Sequence, residues 1–391
     1  MKRFSAQYIF TNTGAPLKRG IVTADDDGTI TGVEDTGGNL VEKESVEFHN
    51  GIIIPGFVNC HCHLELSHMR GMIPPKSGLA EFLRLFRAGR IAGPDKIISS
   101  ATSADSEMYS AGTELCADIC NTTDTFNLKT GSRIKYLNLL EVFGIDPEKA
   151  NRRLDEIKLV SDIAESLELS WSLVPHSAYS ISLTLFRLLL AETGSNKITS
   201  IHFMETRAER SLLENQSGPL MDSYIESELV GGRPETVRDH AAAVLEAVTR
   251  SGNLILVHNT YADRETIRKV NKRRNLFWCL CPNANLYIED HLPPLDLLIG
   301  ENCRIVIGTD SHASNNRLSI LEELKTLQSF YQSVPLGDLL KWATLNGAIA
   351  LGGEDKFGKI QPGMKPGLLL LQDIDLDKMQ LLPESHITRL I

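Results

Sequence analysis

The alternation of strand-like runs with helical segments between residues 55 and 352 is the feature that most constrains the fold. The runs contain, in chain order, the segments GFVNCHC, CADICN, IKYLNLLEVFG, SWSLVPHSAY, TSIHFMET, NLILVHNTY, LFWCLCPN and RIVIGTDS. Helices are predicted at residues 79–91, 147–167, 183–192, 234–250, 263–273 and 318–333, and the stretch from Thr206 to Gly232 predicts a loop excursion. Eight strands, each followed by helical sequence or a loop, predict an α/β fold with a (β/α)8 barrel of the TIM type.

Both ends of the chain differ from this middle part. Residues 1–54 contain short runs of β-forming residues separated by turn sequences such as Asp27-Gly28, and residues 353–391 again place strand-like runs between glycine and proline. We therefore predict two domains. One is a small β-sandwich domain built from residues 1–54 together with 353–391, and the other is the barrel over residues 55–352.

Composition and charge exclude several classes of partner. The 391 residues are 42% apolar and 23% charged, as in ordinary globular proteins, and the net charge is −10. Nucleic acid and anionic membranes both require a basic patch, so neither is expected as a partner. The sequence shows no signal peptide and no apolar run near the ~20 residues that span a bilayer. Seven cysteines without C-x2-C spacing predict reduced thiols in a cytoplasmic protein.

His61 and His63 end the first barrel strand, in the sequence NCHCHLE. Side chains of a strand alternate between faces, so these histidines are predicted to point one way and Cys60 and Cys62 the other way. Two imidazoles one pleat apart can reach one metal ion, and neutral imidazole is a common zinc ligand. The alternative for this stretch taken alone is a strand with two incidental histidines.

Polar side chains also end several later strands, at His176, His202, Glu205, His258 and Asp310. The reacting groups of such barrels lie at the C-terminal ends of the strands, so these side chains are predicted to meet there. A donor set that suits one divalent metal ion, Zn²⁺ first and Fe²⁺ or Mn²⁺ as alternatives, consists of His61, His63, His202 and Asp310.

Seven segments stand in a characteristic order: PGFVNCHCHLE, VPHSAYSIS, IHFMETRAE, LVHNTY, CPNANLYI, GTDSHASNN and ATLNGAIALG. They resemble the amidohydrolase superfamily, in the branch of cytosine-, guanine- and adenosine-type deaminases and s-triazine hydrolases. The ending KFGKIQPGMKPGLLLL is similar to the family's GxIxPGxxADL, with Pro366-Gly367 in place of Ala-Asp. These motifs are specific for the superfamily and much less specific for the substrate.

The resemblance implies a metal-dependent hydrolase that deaminates an aminated heterocycle, such as a purine, a pyrimidine, or an adenosine- or aminofutalosine-like nucleoside. A metal held by three histidines and a carboxylate lowers the pKa of a bound water from ~15.7 towards ~7. In this family pattern Asp310 accepts the proton of that water, and His258 stabilises the charge that develops. Glu205 carries a proton to the ring nitrogen beside the attacked carbon, after which ammonia leaves.

The resemblance extends to further residues. It implies that His176 contacts the substrate, and the sequence around Glu65 is similar to that of aminodeoxyfutalosine deaminases. Glu65 then binds a sugar hydroxyl or an exocyclic amine, unless it is a satisfied charge at the barrel rim. Binuclear members bridge their metals with a fourth-strand Lys or Glu, which residues 169–182 lack, so one metal is predicted. Glu141 ends the third strand, where it either lines the pocket or has the favoured solvent-exposed or salt-bridged role, and open roles remain for Glu209 and His312.

Two other functions are alternatives to hydrolytic deamination, in which a small heterocycle and water are the substrates. A hydrolase of the same fold could act on a cyclic amide, an imidazolone or a C–Cl bond, because the same metal set serves those reactions. A metal-binding protein without catalysis is the other alternative, and the completeness of the set of site residues argues against it. The sequence leaves a homodimer open.

Overall fold

The structure is a computed structural model that describes residues 1–39, 45–227, 229, 238–246 and 252–391. Its strands are β1 (Lys2–Ile9), β2 (Leu17–Lys18), β3 (Ile21–Ala24), β4 (Ile30–Glu34), β5 (Val46–Pro55), β6 (Phe57–Cys62), β7 (Thr113–Cys120), β8 (Lys135–Val142), β9 (Trp171–Pro175), β10 (Ile198–Phe203), β11 (Asn253–His258), β12 (Leu276–Leu280), β13 (Ile305–Ile307), β14 (Leu368–Asp375) and β15 (Gln380–Arg389).

Strands from both chain ends form one seven-stranded sheet in the order β15-β14-β5-β1-β3-β4, with β2 paired to β1. The β1–β5 pair is parallel and the other pairs are antiparallel. One face buries Phe4, Ile30 and Leu368 in a common core. Ile30 also exchanges backbone hydrogen bonds with Gly363 and Met364, so the sheet curls around this core. The predicted union of the two chain ends is thereby confirmed, and the domain boundaries at residues 54 and 353 stay a prediction.

The middle strands form two parallel four-stranded sheets, β6-β7-β8-β9 and β10-β11-β12-β13. Single bridges join the sheets at both seams, between Ser177 and His202 and between Cys62 and Asp310. At the seams the His202 backbone N–H donates to the His176 carbonyl at 2.8 Å, and the Thr309 N–H donates to the His61 carbonyl at 3.0 Å. The strands therefore follow the order of the predicted (β/α)8 barrel, while the hydrogen-bond ladder is interrupted at two seams.

A buried apolar cluster takes side chains from all eight of these strands, and it therefore fills the barrel interior. One member from each strand is Val58, Leu115, Leu139, Val174, Ile198, Ile255, Phe277 and Val306. Residues one position away along the same strands, such as Leu140 and Leu256, pack outward in a second cluster with helical residues. This period of two fixes which side chains near the strand ends point inward.

The helices are α1 (Leu79–Gly89), α2 (Pro94–Ser110), α3 (Phe126–Gly131), α4 (Ala150–Ser166), α5 (Leu183–Glu192), α6 (Arg207–Asn215), α7 (Pro219–Glu226), α8 (His240–Glu246), α9 (Arg264–Val270), α10 (Pro282–Glu289), α11 (Leu295–Gly300), α12 (Ile320–Phe330), α13 (Leu336–Ala343) and α14 (Leu345–Ala350). Short 3₁₀ turns lie at Leu64–Met69, Pro147–Lys149 and Thr193–Ser195. In the part of the chain that the structure describes, no helix is long and apolar enough to cross a membrane.

The predicted helices agree with α1, α4, α5, α8, α9 and α12, apart from the residues of 234–250 that lie outside the described ranges. The prediction of a loop excursion from Thr206 is wrong, because α6 and α7 occupy most of that stretch. Thr206 caps α6 through its side chain, and Gly218 with φ of 92° separates the two helices. The Gly218-Pro219 pair suggested a loop, whereas Pro219 begins a helix.

Candidate active site

A cavity of about 430 Å³ opens at the C-terminal ends of the barrel strands. Its lining includes most of the predicted site residues: His63, Glu205, His176, His202, His258 and Asp310. Apolar residues such as Phe82 and Phe86 of α1 cover one side of it. The strand ends thus bring together side chains that are far apart in sequence, at the place where barrel enzymes hold their reacting groups.

His61, His63 and His202 form a buried group whose ligand nitrogens lie within 4.8 Å of one another. The Nε2 atoms of His61 and His63 are 3.2 Å apart. The Oδ1 atom of Asp310 lies 3.8 Å from Nε2 of His61 and 3.6 Å from Nε2 of His63. Asp310 therefore lies beside the histidine pair of this group, and the four predicted ligands meet although they come from three different strand ends.

The side chains of β6, the first barrel strand, do not alternate strictly between the two faces near its C-terminal end. Cys60 belongs to the barrel-interior cluster, whereas Cys62 packs outside the barrel, with its Sγ 3.8 Å from the Met108 Sδ. The register of β6 against β7 shifts between Asn59 and Cys62. The prediction that both cysteines share one face is therefore wrong for Cys60, because this irregularity places it and His61 on the inner side together.

The histidine donors have the chemical state that a metal requires. Burial lowers the pKa of His61 and of His63 well below the ordinary value, and the neighbouring imidazoles lower it further. Burial likewise lowers the pKa of His202 to about 4. Its Nδ1 lies 2.8 Å from the His176 carbonyl oxygen, to which it donates, so Nε2 is left as the ligand atom. Neutral imidazoles and one carboxylate fit a divalent metal ion of the zinc type.

Asp310 is held by a second contact. The Ser314 hydroxyl donates to Oδ2 at 2.7 Å, which leaves Oδ1 facing the histidine pair. Burial raises the pKa of Asp310 to about 6, against the opposing effect of the Ser314 hydrogen bond. With φ of 57°, Asp310 adopts the left-handed conformation that turns the chain inward after the strand.

Glu205 is fixed by groups on both sides. The Tyr179 hydroxyl donates to its Oε2 at 2.9 Å, and the Glu205 backbone N–H donates to Glu209 Oε2 at 2.8 Å. Burial raises the pKa of Glu205 well above its ordinary value, and the carboxylates of Glu209 and Asp310 raise it further. Burial therefore favours the protonated form of Glu205, and the open role of Glu209 is filled by a contact to the Glu205 backbone.

His258 faces this acid, with its Nε2 3.6 Å from Glu205 Oε1. Its Nδ1 lies 3.3 Å from the amide nitrogen of Asn285, which donates to it, so the Nε2 atom carries the proton. Alternation would send His258 outward, because Val257 is in the interior cluster. The φ of 74° at His258 reverses that direction and turns the ring into the cavity.

The two predicted substrate contacts differ in position. His176 lines the cavity and stacks on His202 with ring centroids 4.4 Å apart, while its Nδ1 is within 2.9 Å of the Ser177 and Ser180 hydroxyls. Glu65 is buried, and it accepts hydrogen bonds from the backbone of Asn121 and Thr122 and from Arg90. Among the described lining residues Glu65 is absent and Arg90 is present, so Glu65 reaches the cavity through Arg90.

Glu141 occupies the position that the sequence offered as the alternative. It is only 3% exposed and lines the cavity, so the solvent-exposed role is wrong and the pocket-lining one is confirmed. The signal was present: Leu139 points into the barrel, and the period of two places Glu141 on the same side. His312 instead lies outside the described lining, where it contacts Arg70 at 3.1 Å and Glu107 at 3.6 Å.

Comparison with known proteins gives concordant findings. The family described as "Amidohydrolase family" matches residues 52–388. The 5-methylthioadenosine/S-adenosylhomocysteine deaminase of Pyrococcus abyssi is 27% identical over 88% of this chain and 79% of that protein. The crystal structure of Helicobacter pylori aminofutalosine deaminase in complex with methylthio-coformycin has a TM-score of 0.79 at 20% identity, covering 96% of this chain and 93% of that one. The atrazine chlorohydrolase of Arthrobacter aurescens TC1, complexed with zinc, has a TM-score of 0.73 at 17% identity, covering 98% and 89%.

Proposed function

The chain belongs to the amidohydrolase family, and on that premise we propose that it is a metal-dependent deaminase of aminated purine nucleosides. The sequence relative from Pyrococcus abyssi is named for deamination of 5-methylthioadenosine and S-adenosylhomocysteine. The cavity of about 430 Å³ is within the range of small-molecule sites and has room for more than a free base. The predicted enzyme class, a hydrolase of carbon–nitrogen bonds other than peptide bonds, agrees with these relatives.

One zinc ion is the metal we propose. His61, His63, His202 and Asp310 would hold it, and when bound it supplies a Lewis acid that makes water nucleophilic at neutral pH. The zinc in the chlorohydrolase structure of the same fold supports this choice. The remaining chemistry belongs to side chains of the chain itself.

Three side chains move or stabilise protons and charge. Asp310, with a pKa of about 6, accepts the proton of the attacking water through the Oδ1 atom that Ser314 leaves free. Glu205 donates its proton to the ring nitrogen beside the amine-bearing carbon. The Nε2–H of His258 donates a hydrogen bond to the oxygen that adds to that carbon. Asp310 then passes its proton to the amine, the C–N bond breaks and ammonia leaves, while the proton of the added hydroxyl returns to Glu205 as the carbonyl forms.

The observation that carries this proposal is the placement of the Glu205 carboxyl group, whose pKa burial raises. It stands beside His258 at 3.6 Å and is held by the Tyr179 hydroxyl, within a cavity that also contains the metal donors. A ring nitrogen must gain a proton before the adjacent carbon accepts water, and Glu205 is the buried acid placed for this transfer. A chlorinated ring would use the same acid at its ring nitrogen, so the choice of an amine over chloride as leaving group is supported by the relatives named as nucleoside deaminases.

The test is ammonia release from a panel of aminated purine nucleosides, free purines, pyrimidines and pterins, with protein loaded with one equivalent of zinc. We expect release from the nucleosides and a loss of about 10²–10⁴-fold in kcat for Glu205→Gln, the usual contribution of a positioned acid. The zinc content of the variant should equal that of wild type. Chloride release from a chlorinated triazine without any ammonia release would contradict the proposal.

A further inference from the structure

Glu141 has a carboxylate oxygen that the described protein leaves without a partner. Its Oε2 accepts a hydrogen bond from the Asn121 side-chain amide at 3.1 Å, whereas its Oε1 is buried and has none. A buried acceptor without a donor destabilises the folded protein unless water or a ligand satisfies it. Since Glu141 lines the cavity, a molecule bound there can supply the missing donor.

The position of the Glu141 Oε1 atom indicates which part of a bound substrate lies beside it. It lies 3.7 Å from the Nδ1 atom of His202, whose opposite nitrogen is the metal ligand. Glu141 is thus behind the imidazole, away from the carbon that reacts at the metal. Phe143 and Ile145, which follow Glu141 in the chain, also line the cavity, so we place the substituent on the ring, not the reacting carbon, beside Glu141.

Orientation of His202 is a weaker explanation for this carboxylate. A separation of 3.7 Å exceeds hydrogen-bond distance, and the Nδ1 proton is already donated to the His176 carbonyl at 2.8 Å. Glu141 therefore has no hydrogen bond to the metal ligand in this arrangement.

A second cation is also disfavoured. Glu141, His176 and His202 do form a group with donor atoms within 4.8 Å. However, a cation there would require the bond from His202 Nδ1 to the His176 carbonyl to break, and the charge of Arg90 acts on Glu141 from nearby. Repulsion by a guanidinium opposes a metal ion and leaves a neutral donor such as a hydroxyl as the better partner.

We propose that Glu141 determines specificity by accepting, at Oε1, a hydrogen bond from a sugar hydroxyl of the nucleoside. This inference rests on the proposed function and names the part of the substrate that the enzyme recognises. Such a bond to a charged group contributes roughly a ten- to hundredfold preference for the hydroxylated substrate over its deoxy analogue. The preference is realised in binding, so it is expected mainly in KM.

The experiment measures kcat and KM for adenosine, 2′-deoxyadenosine, 3′-deoxyadenosine and adenine with zinc-loaded wild type, Glu141→Leu and Glu141→Gln. Wild type should lose ten- to hundredfold in kcat/KM when one of the two hydroxyls is removed. Glu141→Leu should lose the same factor on adenosine and none on that deoxy analogue. Glu141→Gln should keep part of the preference, because its amide can still hydrogen-bond a hydroxyl. The control is Glu148→Gln, which removes one charge from an exposed position shortly after β8.

Each outcome separates this inference from its premise. Equal losses by Glu141→Leu on all four substrates would overturn it, as would a wild type that does not distinguish the deoxy analogues. Loss of zinc from Glu141→Leu would overturn it in favour of a role in holding His202, and a second bound zinc in wild type would establish the cation site instead. Absence of ammonia release by wild type from every substrate would remove the proposed function and this inference together.

Discussion

A buried ion pair outside the barrel wall is predicted to stabilise the protein, including the start of the turn that follows the predicted metal ligand His63. The Nζ atom of Lys129 lies 2.5 Å from Asp118 Oδ2, and both side chains are 0% exposed. Lys129 also donates to the side-chain oxygen of Asn138 at 2.7 Å. The other oxygen of Asp118 accepts the backbone N–H of Leu64 at 2.7 Å, directly after the ligand His63.

Substitution Lys129→Met removes the cation and leaves the carboxylate of Asp118 buried without its counter-ion. Breaking a fully buried pair in this way costs about 3–5 kcal/mol of unfolding free energy. Each kcal/mol lowers the Tm by about 2 °C for a chain at the large end of the usual range, so the expected decrease is roughly 6–10 °C. The double variant Asp118→Asn/Lys129→Met removes both charges and retains an acceptor for Leu64, so it should recover more than half of this loss.

Thermal unfolding followed by circular dichroism at fixed zinc concentration measures these changes. The matched control is Lys158→Met, because Lys158 pairs with Glu192 at 2.7 Å but both side chains are about two-fifths exposed. An exposed pair contributes about 0–1 kcal/mol, so its Tm should move by no more than about 2 °C. The reasoning would be refuted if Lys129→Met lowered the Tm no further than Lys158→Met, or if the double variant were less stable than Lys129→Met alone.

Four further predictions use single substitutions. Asp310→Asn should abolish ammonia release, since an amide cannot accept the proton of the attacking water; a variant with near wild-type kcat would contradict the assigned role. Cys62→Ala should leave the zinc content by mass spectrometry unchanged, because this thiol packs outside the barrel; a drop in bound zinc would show that it faces the site. Tyr179→Phe removes the donor to Glu205 Oε2 and should lower kcat/KM by roughly tenfold. The alkaline limb of the pH–rate profile should move to higher pH, because the lost hydrogen bond favoured the ionised form of Glu205. An unchanged profile would count against this role of Tyr179. Burial raises the pKa of Glu323 from 4.5 to about 8, so the folded protein keeps a proton that the unfolded chain releases. The free energy of unfolding should therefore fall as pH rises from about 5 to 8. Glu323→Gln should flatten this pH dependence in urea titrations, and an equal pH dependence for both proteins would disprove the linkage.

Much of the architecture follows from local pattern. Eight strand-like runs gave the barrel order, and the polar residues that end them are the residues that line the cavity. The Gly and Pro residues between Thr206 and Gly232 led to the prediction of a loop. That prediction is wrong because the same residues that end helices also begin them. The amphipathic positions Leu212, Leu220 and Tyr224 pack into one cluster with α1, which a search for helical periodicity in that stretch could have found.

Details of the site depended on departures from regular geometry. Cys60 and His61 face inward together because the register shifts at the end of β6, and His258 turns inward through a positive φ. Neither departure has a glycine or proline signature at the position concerned. The inward direction of Glu141 follows from the period of two, whereas the sequence analysis favours exposure because a lone carboxylate is more often exposed.

The sequence by itself determined the period of two along each strand, the order of strands and helices, and the residue types that reach the strand ends. These are local properties, set by backbone stereochemistry and by which side chains avoid water. Only the tertiary structure decided the supporting partners: Ser314 on Asp310, Tyr179 on Glu205, and Asn121 on one oxygen of Glu141. Such contacts join residues that the chain brings together only when its two parallel sheets pack side by side, and burial at that point then shifts the pKa of acids such as Glu205 and Asp310.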